Sequence, residues 1–222
     1  KPLKIYIFFR FAFLHMRKRA LFPIYFLTLI YYSIMKKLIA ILIIAFLSGC
    51  ISEKGKEKIV VIETKLGNIE IKLYEDEMPK TVSNFIKLVE DGFYDGLIFH
   101  RIVRDFVIQG GAFYPNGTYK ESPYGTIPLE ISANLKHDKG AVGMARASEP
   151  DSASSQFYIC VTPQHQLDGS YAVFGKVIKG MDVVEKISKY DPDYTYTIYP
   201  GYSNWPKKEI IENVTMIRVY MK

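Results

Sequence analysis

Between residues 59 and 222 the hydrophobic positions switch from a period of two to a helical period and back. Ile59-Val-Val-Ile62 is a short apolar run and Gly67-Asn68 is a turn signal. Ile69, Ile71 and Leu73 then alternate with Glu70, Lys72 and Tyr74, a pattern that predicts a β-hairpin. Pro79 next stands where a first helical turn tolerates proline, Val82, Phe85, Ile86 and Val89 recur at helical spacing, and Gly92 is the stop. This predicts an amphipathic helix. Short apolar runs broken by Gly and Pro follow at Leu97–Phe99, Phe106–Ile108, Ala141–Ala145, Phe157–Val161, Ala172–Val177 and Val214–Val219. A second short helix is predicted over Asp182–Lys189, where Val183, Val184 and Ile187 share a face. Many short strands with two helices predict a mainly antiparallel sheet or barrel, and periodicity does not choose between the two.

The chain before residue 59 follows different rules. Met35-Lys36-Lys37 precedes ten consecutive apolar residues, Leu38 to Leu47, and then Ser48-Gly49-Cys50. A dibasic start and an apolar core of that length read as a secretory signal over 35–49, since a helical span needs roughly 20 apolar residues. Leu47-Ser-Gly-Cys50 resembles the lipobox of prokaryotic lipoproteins, which implies lipidation of Cys50 and a membrane anchor there. The charged stretch 50–58 reads as a lipidated cysteine and a solvated tether. Residues 1–34, apolar and aromatic but upstream of a complete signal with its own Met, read as upstream or misassigned N-terminal sequence. The competing reading is a membrane segment over 21–47, which Lys36 and Lys37 oppose because each charge at bilayer depth costs roughly 2.5–3.5 kcal/mol.

Composition sharpens this division. The 222 residues are 49% hydrophobic and 23% charged with only two Cys, which excludes a disordered chain and a disulfide-stapled scaffold. The formal charge of +6 belongs to the front: eleven Lys/Arg and two acids precede residue 59, so totals of 29 and 23 leave 18 basic against 21 acidic groups in the domain 59–222. A domain with a net charge of −3 and no basic cluster is not built to bind nucleic acid. With Cys50 assigned to lipid, Cys160 is the one remaining thiol. Its neighbours Ile159 and Val161 mark it as a buried strand residue rather than a reactive one. His100, His137 and His165 lack metal-ligand spacing and read as structural or surface groups, so neither a metal nor a cofactor is expected.

Three stretches carry the candidate chemistry: Phe99-His-Arg-Ile-Val-Arg-Asp-Phe-Val-Ile-Gln-Gly-Gly111, then Gly143-Met-Ala-Arg-Ala147 running to Ser155-Gln-Phe-Tyr-Ile159, then Leu167-Asp-Gly-Ser-Tyr-Ala-Val-Phe-Gly-Lys176. In content and order they resemble the motifs of the cyclophilin family of peptidyl-prolyl isomerases. The resemblance covers about Ile59 to Val219, and the Asp-Ser-Ala-Ser-Ser-Gln-Phe run is closer to prokaryotic members. It implies a closed eight-stranded antiparallel β-barrel capped by two helices, with the active groove on the outer wall. By position, it also implies that Arg101, Phe106 and Gln109 are catalytic. Val107, Tyr158 and Leu167 would join Phe106 in a proline pocket, and Gln109 would orient Arg101. Ala145, Arg146 and Ala147 would offer backbone groups to the peptide, Gln156 would contact it, Gly117 would lie at the groove edge and Tyr171 at the pocket rim.

The chemistry of the residues is consistent with that reading. Rotation about an Xaa-Pro bond faces a resonance barrier of about 18–20 kcal/mol and needs no nucleophile, base or metal. It needs a donor near the prolyl nitrogen and an apolar seat for the ring. Arg101, always charged and carrying five N–H groups, is the natural donor. Departures from the best-known family pattern are Val107 for Met, Tyr158 for Phe, Arg146 for Asn and Gln166 for Trp; the last bears on cyclosporin-type inhibitors. The implied partners are proline-containing polypeptides, and the protein is expected to act as a monomer. Two other function classes compete: a non-catalytic proline-peptide binding module or chaperone, and a membrane scaffold dominated by residues 1–47. Asn116-Gly-Thr118 and Asn213-Val-Thr215 match the glycosylation sequon, a short and weak pattern, the second in an expected strand. The aromatic stretch from Tyr190 to Pro206 reads as a long loop folded on its own rings, with a partner or membrane-interface contact as the alternative.

Overall fold

The computed structural model describes residues 31–39, 57–190, 196–197 and 208–222. The chain divides into two units, Lys1–Gly55 and Lys56–Lys222. In the first, residues 31–39 are helical (α1) with exposed side chains. Cys50 and the signal core from residue 40 onward lie outside the described residues. Among the described residues no helix is long and apolar enough to cross a membrane.

In the second unit the strands are β1 (Ile59–Thr64), β2 (Gly67–Leu73), β3 (Phe99–Val103), β4 (Val107–Gly110), β5 (Ala141–Met144), β6 (Phe157–Cys160), β7 (Val173–Lys179), β8 (Tyr196–Thr197) and β9 (Arg218–Met221). The helices are α2 (Pro79–Glu90), α3 (Met181–Ser188) and α4 (Lys208–Asn213). The predicted hairpin forms in full register, Ile59 opposite Lys72 through Thr64 opposite Gly67, so its two-residue turn is Lys65-Leu66 rather than Gly67-Asn68. Gly67, at φ +128, opens the return strand.

All strand pairings described are antiparallel, and the order is β8-β3-β4-β6-β5-β7-β2-β1-β9. The closed eight-stranded barrel is therefore corrected to a curled, open nine-stranded sheet with β8 and β9 at its edges. The segment before β9 meets the chain at the start of β3, with an isolated bridge at Ile98–Thr215. It gives Val214 O to Phe99 N at 2.9 Å and Met216 N to Leu97 O at 2.8 Å. From Ile217, whose N–H donates to Glu63 O at 2.8 Å, the chain has transferred to β1, so no ladder spans the gap.

Pro79 occupies the first turn of α2, and Glu130 supplies the cap from another part of the chain. Its carboxylate accepts from Lys80 N at 3.1 Å, Thr81 N at 2.7 Å and Thr81 Oγ1 at 2.7 Å. The first two are backbone amides that the helix leaves unpaired. Val82, Phe85, Leu88 and Val89 turn inward, and the Phe85 ring lies 4.9–5.4 Å from Tyr94, Phe157 and Phe174. That aromatic centre, with Ile62, Ile71, Ile102, Ile108 and Ile159, forms the main core. A second apolar cluster of Val107, Ala141, Tyr158, Cys160 and Val173 lies on the other face of the same strands. With both faces covered, β5 and β6 are buried at every position, which is why they read as continuous apolar runs instead of alternating ones.

The helix over Asp182–Lys189 is α3, shifted by one residue. α4 was not foreseen, and the second sequon falls at its end rather than in a strand: Asn213 is buried and its Nδ2 donates to Tyr190 Oη at 2.7 Å. Within the aromatic stretch Tyr196 and Thr197 pair with Ile102 and Arg101. Residues 191–195 and 198–207, the rest of the stretch read as a loop folded on its own rings, lie outside the described residues.

Candidate active site

Strand register builds the site. Arg101 of β3 faces Gln109 of β4, Gln109 faces Tyr158 of β6, and Tyr158 faces Gly143 of β5. One pleat along, Val103, Val107 and Cys160 form a second row. Paired residues in antiparallel strands project to the same face, so both rows share the face opposite the main core. The second cluster grows there, with Phe106, Leu135, Ala145, Leu167 and Tyr171 packed around it.

The turn between β3 and β4 returns Phe106 towards Arg101. Asp105 adopts φ +58, the one positive φ among described non-glycine residues. Its carbonyl accepts Thr162 Oγ1 at 2.5 Å and Gln164 Nε2 at 3.0 Å, which holds this costly conformation. The Arg101 guanidinium sits 5.6 Å from the Phe106 ring centre. It is half-buried and hydrogen-bonds to no described protein acceptor. Gln109 Nε2 donates instead to Gln156 Oε1 at 3.0 Å, so the two glutamines brace each other and Gln109 is not bonded to Arg101. Gln156 O also accepts Ala145 N at 2.9 Å. Behind Arg101, burial pushes His100 down to about 4, against hydrogen bonding to Gln156 and the Ile98 backbone, so the ring is neutral at pH 7.

The floor of the apolar cluster is the Tyr158 ring, laid directly over Gly143. A Cβ at Gly143 would overlap the Cζ, Cε2 and hydroxyl oxygen of that ring, so only glycine fits beneath it. The Tyr158 hydroxyl is 2.8 Å from His137 Nε2, and His137 Nδ1 is 2.8 Å from Asp168 Oδ1. Asp168 Oδ1 also accepts the His137 backbone N–H at 2.9 Å. Burial pushes Tyr158 up and His137 down, the latter despite Asp168. Burial works to raise Asp168 too, but the His137 backbone and ring and the His165 ring outweigh it and hold the carboxyl at about 2. At neutral pH the chain therefore runs Tyr158 O–H to a neutral His137, whose Nδ1–H donates to an ionised Asp168. Cys160, in the same cluster, is fully buried and pushed up to about 12 by that burial, so it is no nucleophile.

At the rim, Arg146 lies 4.8 Å from the Tyr171 ring, and Tyr171 meets Tyr158 edge-on at 6.1 Å. Its Nε donates to Ser170 O at 3.1 Å and its Nη1 to Ala147 O and Ser148 O at 2.9 and 3.0 Å. The structure thus brings together Arg101, Phe106, Val107, Gln109, Ala145, Arg146, Gln156, Tyr158, Leu167 and Tyr171. Ala147 is exposed next to them. Gly117 is buried at φ +82 in the Tyr114–Thr118 turn, where its N–H donates to Tyr114 O at 2.9 Å. Sequence reasoning misses Asp105, Gly143 and Asp168 as site residues and reads His137 only as a structural or surface group; of these, the mid-strand glycine at 143 carries a local signal. Among the described residues no group of three or more His, Cys, Asp or Glu could hold a metal.

The sequence of residues 59–219 matches the profile of the cyclophilin type peptidyl-prolyl cis-trans isomerase/CLD family. The chain belongs to this family. It is similar to a peptidyl-prolyl cis-trans isomerase of Acinetobacter baylyi, 44% identical over 163 residues, 71% of this chain and 86% of that protein. It is also similar to peptidyl-prolyl cis-trans isomerase A of Dickeya dadantii, 41% identical over 157 residues, 68% of this chain and 80% of that protein. A solved cyclophilin type isomerase of Cryptosporidium parvum, determined in the presence of the dipeptide Ala-Pro, superposes with a TM-score of 0.59 at 30% identity, covering 74% of this chain and 98% of that one. The protein is a cyclophilin-type peptidyl-prolyl cis-trans isomerase.

Proposed function

We propose that this cyclophilin accelerates proline-limited folding of exported polypeptides while tethered to a prokaryotic membrane through lipidated Cys50. It works there as a monomer on the outer face of the cytoplasmic membrane, or in the periplasm where an outer membrane exists. The domain 59–222 does the chemistry, and 50–58 is its tether. Support for the location is the dibasic start, the ten-residue apolar core and the cysteine that follows Leu-Ser-Gly.

The chemistry follows from one observation: a guanidinium that hydrogen-bonds to no acceptor among the described residues stands over the ring that borders an apolar seat. Val107, Tyr158, Phe106 and Leu167 hold the prolyl ring by burial while the rest of the peptide turns. As the bond twists, resonance is lost and the lone pair localises on the prolyl nitrogen. Arg101 then donates to that nitrogen, an interaction stronger in the twisted state than in the planar one, which lowers the barrier. No covalent bond forms. The Gln109–Gln156 pair stands between Arg101 and the Tyr158 floor, and Ala145–Ala147 offers backbone groups to the peptide.

The test is the cis-to-trans rate of an Xaa-Pro peptide with the full chain in detergent. Arg101→Ala should lose on the order of 10²-fold in kcat/KM, as loss of one transition-state donor does. Peptide binding without acceleration by either protein would instead make the groove a recognition site. Cys50→Ala should move the protein from the membrane fraction to the soluble one; unchanged partition would refute the anchor.

A further inference from the structure

Arg146 is a cation held in place without a counter-ion. Its Nε and Nη1 are spent on the neutral carbonyls of Ser170, Ala147 and Ser148, its Cζ lies 4.8 Å from the Tyr171 ring centre, and no carboxylate pairs with it among the described residues. The two Nη2 hydrogens make no bond to the described protein. A guanidinium already fixed on three carbonyls loses little further freedom when it binds a ligand, and its remaining donors favour a carboxylate over a neutral acceptor. Asp168, the acid behind the pocket floor, is committed to His137, His165 and Lys136.

The position of this cation relative to the seat decides what it can meet. Tyr171 is the one ring between Arg146 and the Tyr158 floor, and the two centroid distances of 4.8 and 6.1 Å place the guanidinium at most about 11 Å from that floor. A proline seated on Tyr158 has its neighbouring residue one Cα step of about 3.8 Å away. A Glu side chain on that neighbour covers most of the remaining distance. Beyond β5 the Ala145 N–H is bonded to Gln156 O and the Ala147 carbonyl to Arg146 itself, which, among the described residues, leaves the Arg146 N–H and C=O, the Ala145 C=O and the Ala147 N–H for a peptide running past Arg146.

We propose that Arg146 is a specificity-determining residue that makes the enzyme favour peptides with an acidic side chain next to the proline. This rests on the reading of the groove as the isomerase site. The test uses the full chain in detergent and peptides carrying Glu, Gln or Lys immediately before the proline, with a matching set substituted immediately after it. Wild type should turn over the Glu peptide about three- to fivefold better than the Gln peptide at one of these positions, the range of a half-exposed ion pair. The Lys peptide should be poorest, and raised salt should shrink the spread. Arg146→Gln should bring the Glu-to-Gln ratio to one, and Arg146→Lys should restore part of it. Because the ratio is read within each variant, a general loss of turnover from the broken carbonyl clamp does not mask it. Equal ratios in wild type and Arg146→Gln at both positions would overturn the proposal and leave Arg146 a clamp between two loops. If wild type accelerated no peptide, the isomerase reading would fail instead, and the ratio of Kd values for the same peptides would still decide the role of Arg146.

Discussion

The Tyr158 hydroxyl donates to His137 Nε2 across 2.8 Å, and this pairing turns a pocket-floor ring into the end of a buried polar chain that starts at Asp168. The chain is fully satisfied at neutral pH. Asp168 takes the backbone N–H and the ring N–H of His137, and the other ring nitrogen takes the tyrosine proton. Removing the tyrosine oxygen leaves that ring nitrogen buried without a donor. Tyr158→Phe should therefore destabilise the chain by about 1–3 kcal/mol, the cost of one unsatisfied buried group. Urea denaturation at pH 7.5 checks it, and an unchanged midpoint would mean that His137 has found water.

Gly143 supports the same ring from below. A methyl at that position meets the Tyr158 ring with no room to share, so the ring must lift into the proline seat. Gly143→Ala should cost about 1–3 kcal/mol as an overpacked site. It should also lower kcat/KM more through KM than through kcat, because the seat is narrowed while Arg101 is untouched. Stability and kinetics measured on the same preparation test this, and wild-type KM would count against it.

Much of this site was legible in the sequence, and what was missed was missed for physical reasons. Arg101, Phe106 and Gln109 lie within nine residues on one hairpin, so their motif survives as a contiguous string. The two faces of β5 and β6 were hidden because both are buried, which erases the alternation that would have told core from groove. The His137–Asp168 contact joins residues 31 apart, and nothing local to either announces it. Barrel closure came from the resemblance rather than from periodicity, and the transfer of the last segment from residues 97–99 to β1 leaves the hydrogen-bonded sheet open. β8 has only two residues, too few to leave a pattern.

His100 sets an acid limit on the fold. Its pKa is pushed from 6.5 down to about 4, chiefly by burial, so the native state stays unprotonated where the unfolded chain takes up a proton. Stability should be full above pH 6.5 and fall as pH drops towards 4, a loss of about 3 kcal/mol from this group at 1.36 kcal/mol per pKa unit. His137, also lowered, adds in the same direction. Asp168, held at about 2 against an ordinary 3.8, contributes stability above 3.8 that is lost only below that. His100→Gln should remove close to one proton from the pH dependence between 6.5 and 4, measured as urea midpoints. An identical slope in the variant would place the acid sensitivity elsewhere.

Glu130 separates stability from catalysis. Its carboxylate accepts three donors at the start of α2, two of them backbone amides that the first helical turn leaves unpaired. The helix that it caps carries Phe85, the centre of the main core, on the sheet face away from Arg101. Glu130→Ala should lower stability by about 1–2 kcal/mol, the range for a lost N-cap, through faster unfolding or a lower midpoint. Turnover of an Xaa-Pro peptide at 10 °C, where the variant stays folded, should remain at the wild-type level, because nothing in the Val107–Tyr158 cluster leans on Glu130. A loss of turnover without a loss of stability would show that α2 reaches the groove by a route other than packing.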